Sequence, residues 1–188
     1  MKNNSEAMGS KTIIFWVFIL VVVDQVIKII INAFFLEYQA EIIPSLFEFR
    51  PSFNDKHSYV NVLLYRKFQI NMGLWFHLIL FLIIEIVIIA LYICLKNSIC
   101  NNRKLLDFAF IIQLAGLICA LIGNLIWEKG TLDYIYLKPL FIFDLKDLYM
   151  NCFVVLFLIY THKNIDEIRK IKMKDIALLV KQYLKKRQ

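Results

Sequence analysis

The sequence has little of what a soluble metalloenzyme or a nucleotide-binding protein needs. Its four cysteines include no C-x-x-C pair, and its three histidines lie far apart in the chain. This scatter argues against a zinc site, a disulfide framework and a histidine-based metal centre. With five glycines and no G-x-x-x-x-G-K-[ST] or G-x-G-x-x-G element, the chain also lacks a phosphate-binding loop. We therefore predict no metal site and no nucleotide-binding fold.

Apolar residues are what the chain has in excess. They make up 60% of its 188 residues, whereas about 45–50% is typical of soluble domains. The mean hydropathy of +0.64 is too high for that surface to be hidden inside a water-soluble globule of this size. The net charge of +7 lies mostly beside the apolar stretches, which points to lipid headgroups rather than to nucleic acid. The composition predicts a membrane protein.

Four apolar stretches each come close to the ~20 residues that cross a ~30 Å hydrocarbon core as a helix. They are residues 13–36, 74–95, 105–127 and 140–160. We therefore predict an all-α integral membrane protein with four transmembrane helices.

The orientation of these spans follows from lysine and arginine in their short flanks. The N-terminal segment, the connection at 96–104 and the tail from residue 163 are rich in these residues. Both termini are therefore predicted to be cytoplasmic, with outer loops at 37–73 and 128–139.

The first outer loop carries its own structural signals. Residues 47–50 alternate like a short strand, and 60–68 form a basic amphipathic segment, so the loop is predicted to lie on the bilayer surface and to cover a site. Residues 1–162 are predicted to form the membrane domain, and 163–188 a basic amphipathic cytoplasmic tail. The tail either lies on anionic lipid as a helix or only fixes the topology.

Ionisable residues within the spans are costly in a membrane and tend to face protein or water. Asp24 and Lys28 are four residues apart and share a helix face, so they either order a site as a polar strut or form a self-contained pair that reaches toward the surface. Glu85 lies in the middle of the second span, where Gln113 and Asn124 are its candidate partners.

Asp133 and Asp147 fall at one predicted membrane face, where the third span ends and the fourth begins. Two carboxylates in a partly dry pocket do not both ionise easily, so one holds a proton while the other acts as a base toward water. This is the arrangement of an aspartic hydrolase. In the alternative interpretation, Asp133 caps a turn and Asp147 pairs with Lys146 or Lys138.

Three elements in this order resemble the lipoprotein signal peptidase (signal peptidase II) family. They are D-Q-x-x-K at 24–28, the L-D-Y element that contains Asp133, and Asp147 at the start of the fourth span. The resemblance covers roughly residues 12–160, and it implies that the first outer loop forms a small extracytoplasmic cradle for the substrate from a β segment and an amphipathic helix. It implies an intramembrane aspartic peptidase that removes signal peptides from prolipoproteins, cleaving before the diacylglyceryl-modified cysteine. Asp133 and Asp147 would be the catalytic pair, supported by Asp24 and Lys28, without metal or organic cofactor.

The chain departs from the family pattern next to both aspartates. The family usually reads G-N-x-x-D-R at the end of the third span, whereas residues 123–128 read G-N-L-I-W-E; Asn124 matches, and the supporting acid is missing. Before the second aspartate the family usually reads F-N-x-A-D, whereas residues 143–147 read F-D-L-K-D. Asp144 replaces the amide, and Lys146 adds a charge close to the pair.

The family's N-x-G-A-x-F element has two candidate positions here. Asn71 matches the letters better, and Asn54 matches the distance from Asp24 better, which leaves room for a surface helix before the second span. We favour Asn54 and keep Asn71 as the alternative.

Two hypotheses follow. The first is an active, divergent lipoprotein signal peptidase, a monomer in the bacterial cytoplasmic membrane that is surrounded by membrane lipids and acts on diacylglyceryl-modified prolipoproteins. The second is a non-catalytic homologue that binds lipidated peptides or a membrane-protein partner. A transporter using Asp24 and Glu85 as a proton path lacks the repeat and broken-helix signals of such proteins.

Overall fold

A computed structural model describes residues 7–171 and shows a helical bundle with a small sheet at one end. The helices are α1 (Ser10–Ile30), α2 (Tyr59–Phe68), α3 (Leu74–Ser98), α4 (Arg103–Leu125), α5 (Leu145–Lys163) and the short α6 (Ile165–Ile168); a π-helical turn, Ile31–Phe35, extends α1. The strands are β1 (Ala40–Ile43), β2 (Phe47–Asn54), β3 (Thr131–Leu137) and β4 (Phe141–Phe143).

Three helices within residues 7–171 are long and apolar enough to cross a membrane: α1 with its extension (Ser10–Phe35), α3 and α4. Large apolar side chains on their outer faces are exposed, Ile14, Phe18 and Ile79 among them, as expected of surface that meets lipid. The protein is therefore an integral membrane protein. The fourth predicted span corresponds to α5, whose 19 residues stay a predicted crossing.

Helix α4 forms the centre of the bundle. About half of its most apolar window is buried, compared with about a fifth in α1 and α3. It packs against α1 and α5 through Ile111, Ala115 and Cys119. Gly116 allows the close approach of α5, because a β-carbon at this position would lie 3.0 Å from the Met150 sulfur.

The four strands form one antiparallel sheet in the order β1–β2–β3–β4. Strand β2 pairs with β3 from Phe47 opposite Leu137 to Asn54 opposite Thr131. The register shifts between Phe49 and Ser52, around Pro51, which has no N–H to offer a ladder.

The sheet places a strand in the second outer loop and moves one predicted helix boundary. The second outer loop, predicted at 128–139, contains β3, because its residues find partners in β2 about 80 positions earlier. The fourth helix begins at Leu145 instead of residue 140, because Phe141–Phe143 pair with β3 as β4. The strand predicted at 47–50 is confirmed and continues to Asn54.

Helix α2 agrees with the basic amphipathic segment predicted at 60–68. The Ser58 hydroxyl caps it by accepting the N–H of Asn61. The buried Asn61 amide then donates to Asn71 Oδ1 and the Met72 carbonyl, both in the linker to α3. This network holds α2 at the same end of the molecule as the sheet.

The opposite end of the bundle holds both ends of the described chain. The N–H of Met8 donates to Asp107 near the start of α4, and the Asn102 amide donates to Asn164 just after α5. Only residues 163–171 of the predicted tail belong to the described part of the chain, so the amphipathic helix predicted over 163–188 lies largely outside the described residues.

Candidate active site

Three carboxylates meet where the sheet joins the start of α5. Asp133 comes from the middle of β3, opposite Ser52, while Asp144 caps the N-terminus of α5 and Asp147 lies in the first turn of that helix. One carboxylate oxygen from each lies within 4.8 Å of the others. The pair that the sequence predicted is therefore brought together, and Asp144 lies beside it.

Asp144 and Asp147 are positioned by the helix that they begin. The Asp144 carboxylate accepts the N–H of Asp147 at 3.2 Å, and the Asp147 carboxylate accepts the N–H of Asp144 at 3.3 Å. This reciprocal capping box satisfies two N–H groups at the helix N-terminus, where the helix dipole also favours negative charge. Neither side chain can turn away from the site without leaving a helix N–H unpaired.

Asp133 has an unusual electrostatic environment. Its residue surface is 5% exposed. Burial raises the pKa of Asp133 to about 6, and the negative charges of Asp144 and Asp147 add to this effect, against the lowering influence of the Lys146 ammonium. Asp133 therefore exchanges its proton in the mildly acidic to neutral range, which suits a carboxylic acid that takes part in acid–base chemistry.

Lys28 links α1 to the carboxylate cluster. Its ammonium lies 2.9 Å from an Asp24 oxygen and 2.6 Å from an Asp144 oxygen, and all three side chains are fully buried. The interpretation of Asp24 and Lys28 as a self-contained pair that reaches toward the surface is wrong, because Lys28 turns inward and bridges two helices. The polar-strut interpretation describes this geometry.

The sequence reading gave no role to Gln25, although it lies inside the D-Q-x-x-K motif. Its amide nitrogen donates to Asp24 at 2.8 Å, and its oxygen accepts the indole N–H of Trp127 at 3.2 Å. Trp127 also contacts the Phe53 ring of β2. The position of Gln25 next to Asp24 was the available signal, and the partner 102 residues away was not visible in the sequence.

Lys146 contacts every carboxylate of the cluster. Its ammonium donates to Asp144 at 2.9 Å, to Asp133 at 3.0 Å and to Asp147 at 3.3 Å. Lys138, the other partner considered for Asp147, instead pairs with Glu41 and Glu48. Three carboxylates are also a donor set for a metal ion, but a divalent cation here would have to displace the Lys146 ammonium.

The two candidate asparagines lie in different places. The Asn54 amide donates to Asp133 at 3.4 Å, whereas Asn71 accepts from Asn61 in the α2–α3 linker. Asn124 contacts neither Asp133 nor Asp147 among the described hydrogen bonds. Its oxygen lies 2.8 Å from His57 Nδ1, and its amide donates to the Ala120 carbonyl, so it anchors the turn that follows β2.

Gly130 brings the start of β3 against the end of β2. Its φ of +88° lies in the left-handed region, and a β-carbon would lie 2.3 Å from the Asn54 carbonyl oxygen. Gly123 has a similar role at the end of α4, because a β-carbon there would lie 2.9 Å from the Thr131 hydroxyl. Both glycines therefore fix the strand that carries Asp133.

Asp133 lies in the wall of a cavity of about 520 Å³ between the sheet and α2. The cavity is also lined by Asn54, by the aromatic rings of Tyr65, Tyr136 and Phe141, and by the basic side chains of Arg50, Lys56 and Arg66. It has room for a segment of polypeptide next to the carboxylates.

Glu85 lies away from this site, between α3 and α4. It accepts a hydrogen bond of 2.7 Å from Gln113, one of the two partners considered for it. This contact ties α3 to α4, and the carboxylate cluster is not involved.

The family model described as signal peptidase (SPase) II matches residues 16–163. Two solved structures, both described as a bacterial membrane enzyme determined by the in meso method, share the fold. The one at 2.3 Å resolution has 19% identity and a TM-score of 0.64, covering 89% of this chain and 98% of its own. The one at 1.9 Å has 19% identity and a TM-score of 0.56, covering 82% and 95%. No curated protein matches the sequence.

Proposed function

The chain belongs to the signal peptidase II family, and on that premise we propose that it is an intramembrane aspartic endopeptidase. Its substrates would be prolipoproteins, cut before the cysteine that carries a diacylglyceryl group. Family membership supports the lipoprotein-processing role. The observation that carries the catalytic assignment is the meeting of Asp133 and Asp147, with oxygens within 4.8 Å, beside a cavity large enough for a peptide.

The proposed reaction uses the two carboxylates on one water molecule. One carboxylate accepts a proton from the water, and the oxygen bonds to the carbonyl carbon of the scissile peptide. The carbonyl electrons move to its oxygen, and this negative charge needs a nearby proton or cation. Breaking the C–N bond then requires a proton on the departing nitrogen. The carboxylic acid that took the proton from water can give it to this nitrogen, so one water and the two carboxylates balance the reaction, and the proposal includes no metal and no organic cofactor.

The proposed substrate position follows from the two kinds of surface at the site. The cavity beside Asp133 is polar and basic, and it would take the segment around the scissile bond. The exposed apolar faces of α1 and α3 would accept the diacylglyceryl chains and the apolar signal peptide. Helix α2 and the sheet would form the extracytoplasmic cradle over this arrangement.

The membrane arrangement that we propose has four spans, with α5 as the fourth. Both ends of the described chain lie at one end of the bundle, opposite the sheet, which supports placing both termini in the cytoplasm. The protein would lie in the bacterial cytoplasmic membrane and act as a monomer. Each chain would consist of a membrane domain, residues 1–162, and a basic tail, residues 163–188.

The test is cleavage of a diacylglyceryl-modified prolipoprotein by purified protein in lipid, with product masses read by mass spectrometry. We expect cleavage before the lipidated cysteine, with a loss of at least about 10³-fold in Asp133→Asn and in Asp147→Asn. Asp166→Asn is the matched control, because this carboxylate is exposed in α6 at the other end of the bundle. Cleavage that survives both active-site substitutions would contradict the assignment. A folded wild type that binds the substrate without cutting it would indicate the binding homologue.

A further inference from the structure

Lys146 is a largely buried cation beside the two proposed catalytic aspartates. Its ammonium lies within hydrogen-bond distance of both members of the proposed pair, at 3.0 Å from Asp133 and 3.3 Å from Asp147. Its side chain is only 11% exposed. A lysine that only kept the region soluble would extend into water, so this geometry calls for another explanation.

A second contact keeps the Lys146 ammonium in place. The Asp144 carboxylate accepts a hydrogen bond of 2.9 Å from the Lys146 ammonium, and the same carboxylate lies 2.6 Å from the Lys28 ammonium. Lys28 is in turn held by Asp24. The charged groups around Lys146 are therefore Asp133 from β3, Asp144 and Asp147 from the start of α5, and the Lys28–Asp24 pair of α1 behind Asp144. Each of the three ammonium protons has a carboxylate acceptor.

The charges in this network are unequal. Four carboxylates face two ammonium groups, so the fully ionised cluster would carry two negative charges. Two neighbouring carboxylates without a cation between them must share a proton to avoid that repulsion. An ammonium bonded to both allows both to ionise.

We propose that Lys146 is a catalytic residue whose ammonium takes the place of the proton that an aspartic pair ordinarily shares. The inference rests on the proposed peptidase function. The ammonium would stabilise the oxyanion that forms when water attacks the scissile carbonyl, and it would protonate the departing nitrogen.

The proton balance of the step closes within the site. Asp133 or Asp147 accepts a proton from water while the water oxygen bonds to the carbonyl carbon. Lys146 gives a proton to the amide nitrogen as the C–N bond breaks and its electron pair moves to nitrogen. The protonated aspartic acid then returns its proton to the neutral lysine amine, with which it is already in contact. One water is consumed, and an acid and an amine are formed.

The proposal is tested with Lys146→Met, which keeps the length of the side chain and removes the ammonium. We expect kcat on the lipidated prolipoprotein to fall by about 10²–10⁴-fold at pH 8, with KM changed by less than about threefold. The remaining activity should require a shared proton between the aspartates. The pH above which kcat falls (the alkaline limit) should therefore be lower for Lys146→Met than for the wild type. Lys138→Met, which removes an ion-paired lysine outside the cavity, should leave kcat and the pH profile unchanged.

Lys146→Arg separates charge from proton transfer. An arginine keeps the positive charge but does not release its proton, so this variant should keep the wild-type alkaline limit while its kcat stays low. A fully active Lys146→Arg would overturn the proton-transfer step. A Lys146→Met variant as fast as the wild type, or faster, would overturn the proposal and identify the lysine as a bystander or a block.

These outcomes are distinct from a failure of the peptidase assignment itself. In that case the wild type would not cleave, or cleavage would persist in Asp133→Asn. Each variant is compared with the wild type for melting temperature and elution volume in the same detergent, so that a misfolded Lys146→Met is recognised. Should it misfold, the kcat of Lys146→Arg still decides the question, because the proposal requires a low value and a wild-type value overturns it.

Discussion

The two ends of the bundle each hold a buried charged cluster, and they differ in balance. At the end away from the sheet, Asp107 accepts from the Met8 N–H, the Tyr92 hydroxyl and the Lys96 ammonium at 2.6–2.7 Å. One carboxylate there meets three donors. Near the sheet, the two ammonium groups of Lys28 and Lys146 serve four carboxylates, which leaves an excess of negative charge.

This difference separates a structural cluster from a reactive one. The three donors to Asp107 come from the N-terminal segment and from α3, so this carboxylate ties both of them to α4. Carboxylates in excess of their cations compete for protons, which is the property that general acid–base chemistry uses. We therefore expect substitutions near Asp107 to change stability, and substitutions near Asp133 to change activity.

The largest loss of stability and activity is expected for Lys28→Met, because Lys28 both holds the helices together and contacts the carboxylate cluster. This substitution leaves Asp24 and Asp144 buried without their common cation, and the loss of one partner from a buried ion pair typically costs about 3–5 kcal/mol. We expect a strongly lowered midpoint of thermal unfolding in detergent, together with lost cleavage. A variant that melts like the wild type would mean that Lys28 is not a structural bridge. Lys11→Met, at an exposed lysine near the start of α1, is the control.

The next prediction concerns pH and Asp133. Its pKa is raised from 3.8 to about 6 on folding, so the folded state holds the proton more tightly than the unfolded chain does. This stabilising contribution is complete below about pH 4 and is lost as pH rises through 6, an effect of up to about 3 kcal/mol. Unfolding midpoints measured between pH 4 and 7 should show this loss. Asp133→Asn should remove it, and an unchanged pH dependence in that variant would assign the titration elsewhere.

Asp107→Asn tests whether the cluster at the end away from the sheet affects stability alone. The amide keeps the shape of the side chain but weakens the contacts to the Met8 N–H and the Lys96 ammonium, at a cost of about 1–3 kcal/mol. Thermal unfolding should begin at lower temperature, while the cleavage rate per folded molecule stays within about twofold of the wild type. A selective loss of cleavage would show that the two clusters are coupled through the bundle.

The smallest effects distinguish the two asparagines. Asn54→Ala removes an amide that donates to Asp133, and we expect about a tenfold lower kcat with little change in unfolding. Asn71→Ala removes one acceptor of Asn61 and should lower stability by about 1 kcal/mol with an unchanged kcat. The two variants are measured side by side for rate and melting. The reverse pattern would place the family's asparagine at residue 71.

Local composition determined much of this architecture. A short stretch of sequence is enough to predict the apolar helices, the strand at 47–50 and the basic helix at 60–68. The reason is that apolar length and periodicity are local properties. The family pattern likewise singled out Asp24, Lys28, Asp133 and Asp147 from the sequence.

Contacts between distant segments decided the rest. The sequence window around Asp133 does not reveal that β2 will pair with it, that Phe141–Phe143 will join the sheet, or that α5 therefore begins at Leu145. Nor does a lysine one position before Asp147 reveal whether it points to water or to three carboxylates. Strand pairing and the balance of buried charge depend on which groups meet in space, and only the tertiary structure brings residues from α1, β2, β3 and α5 to one point.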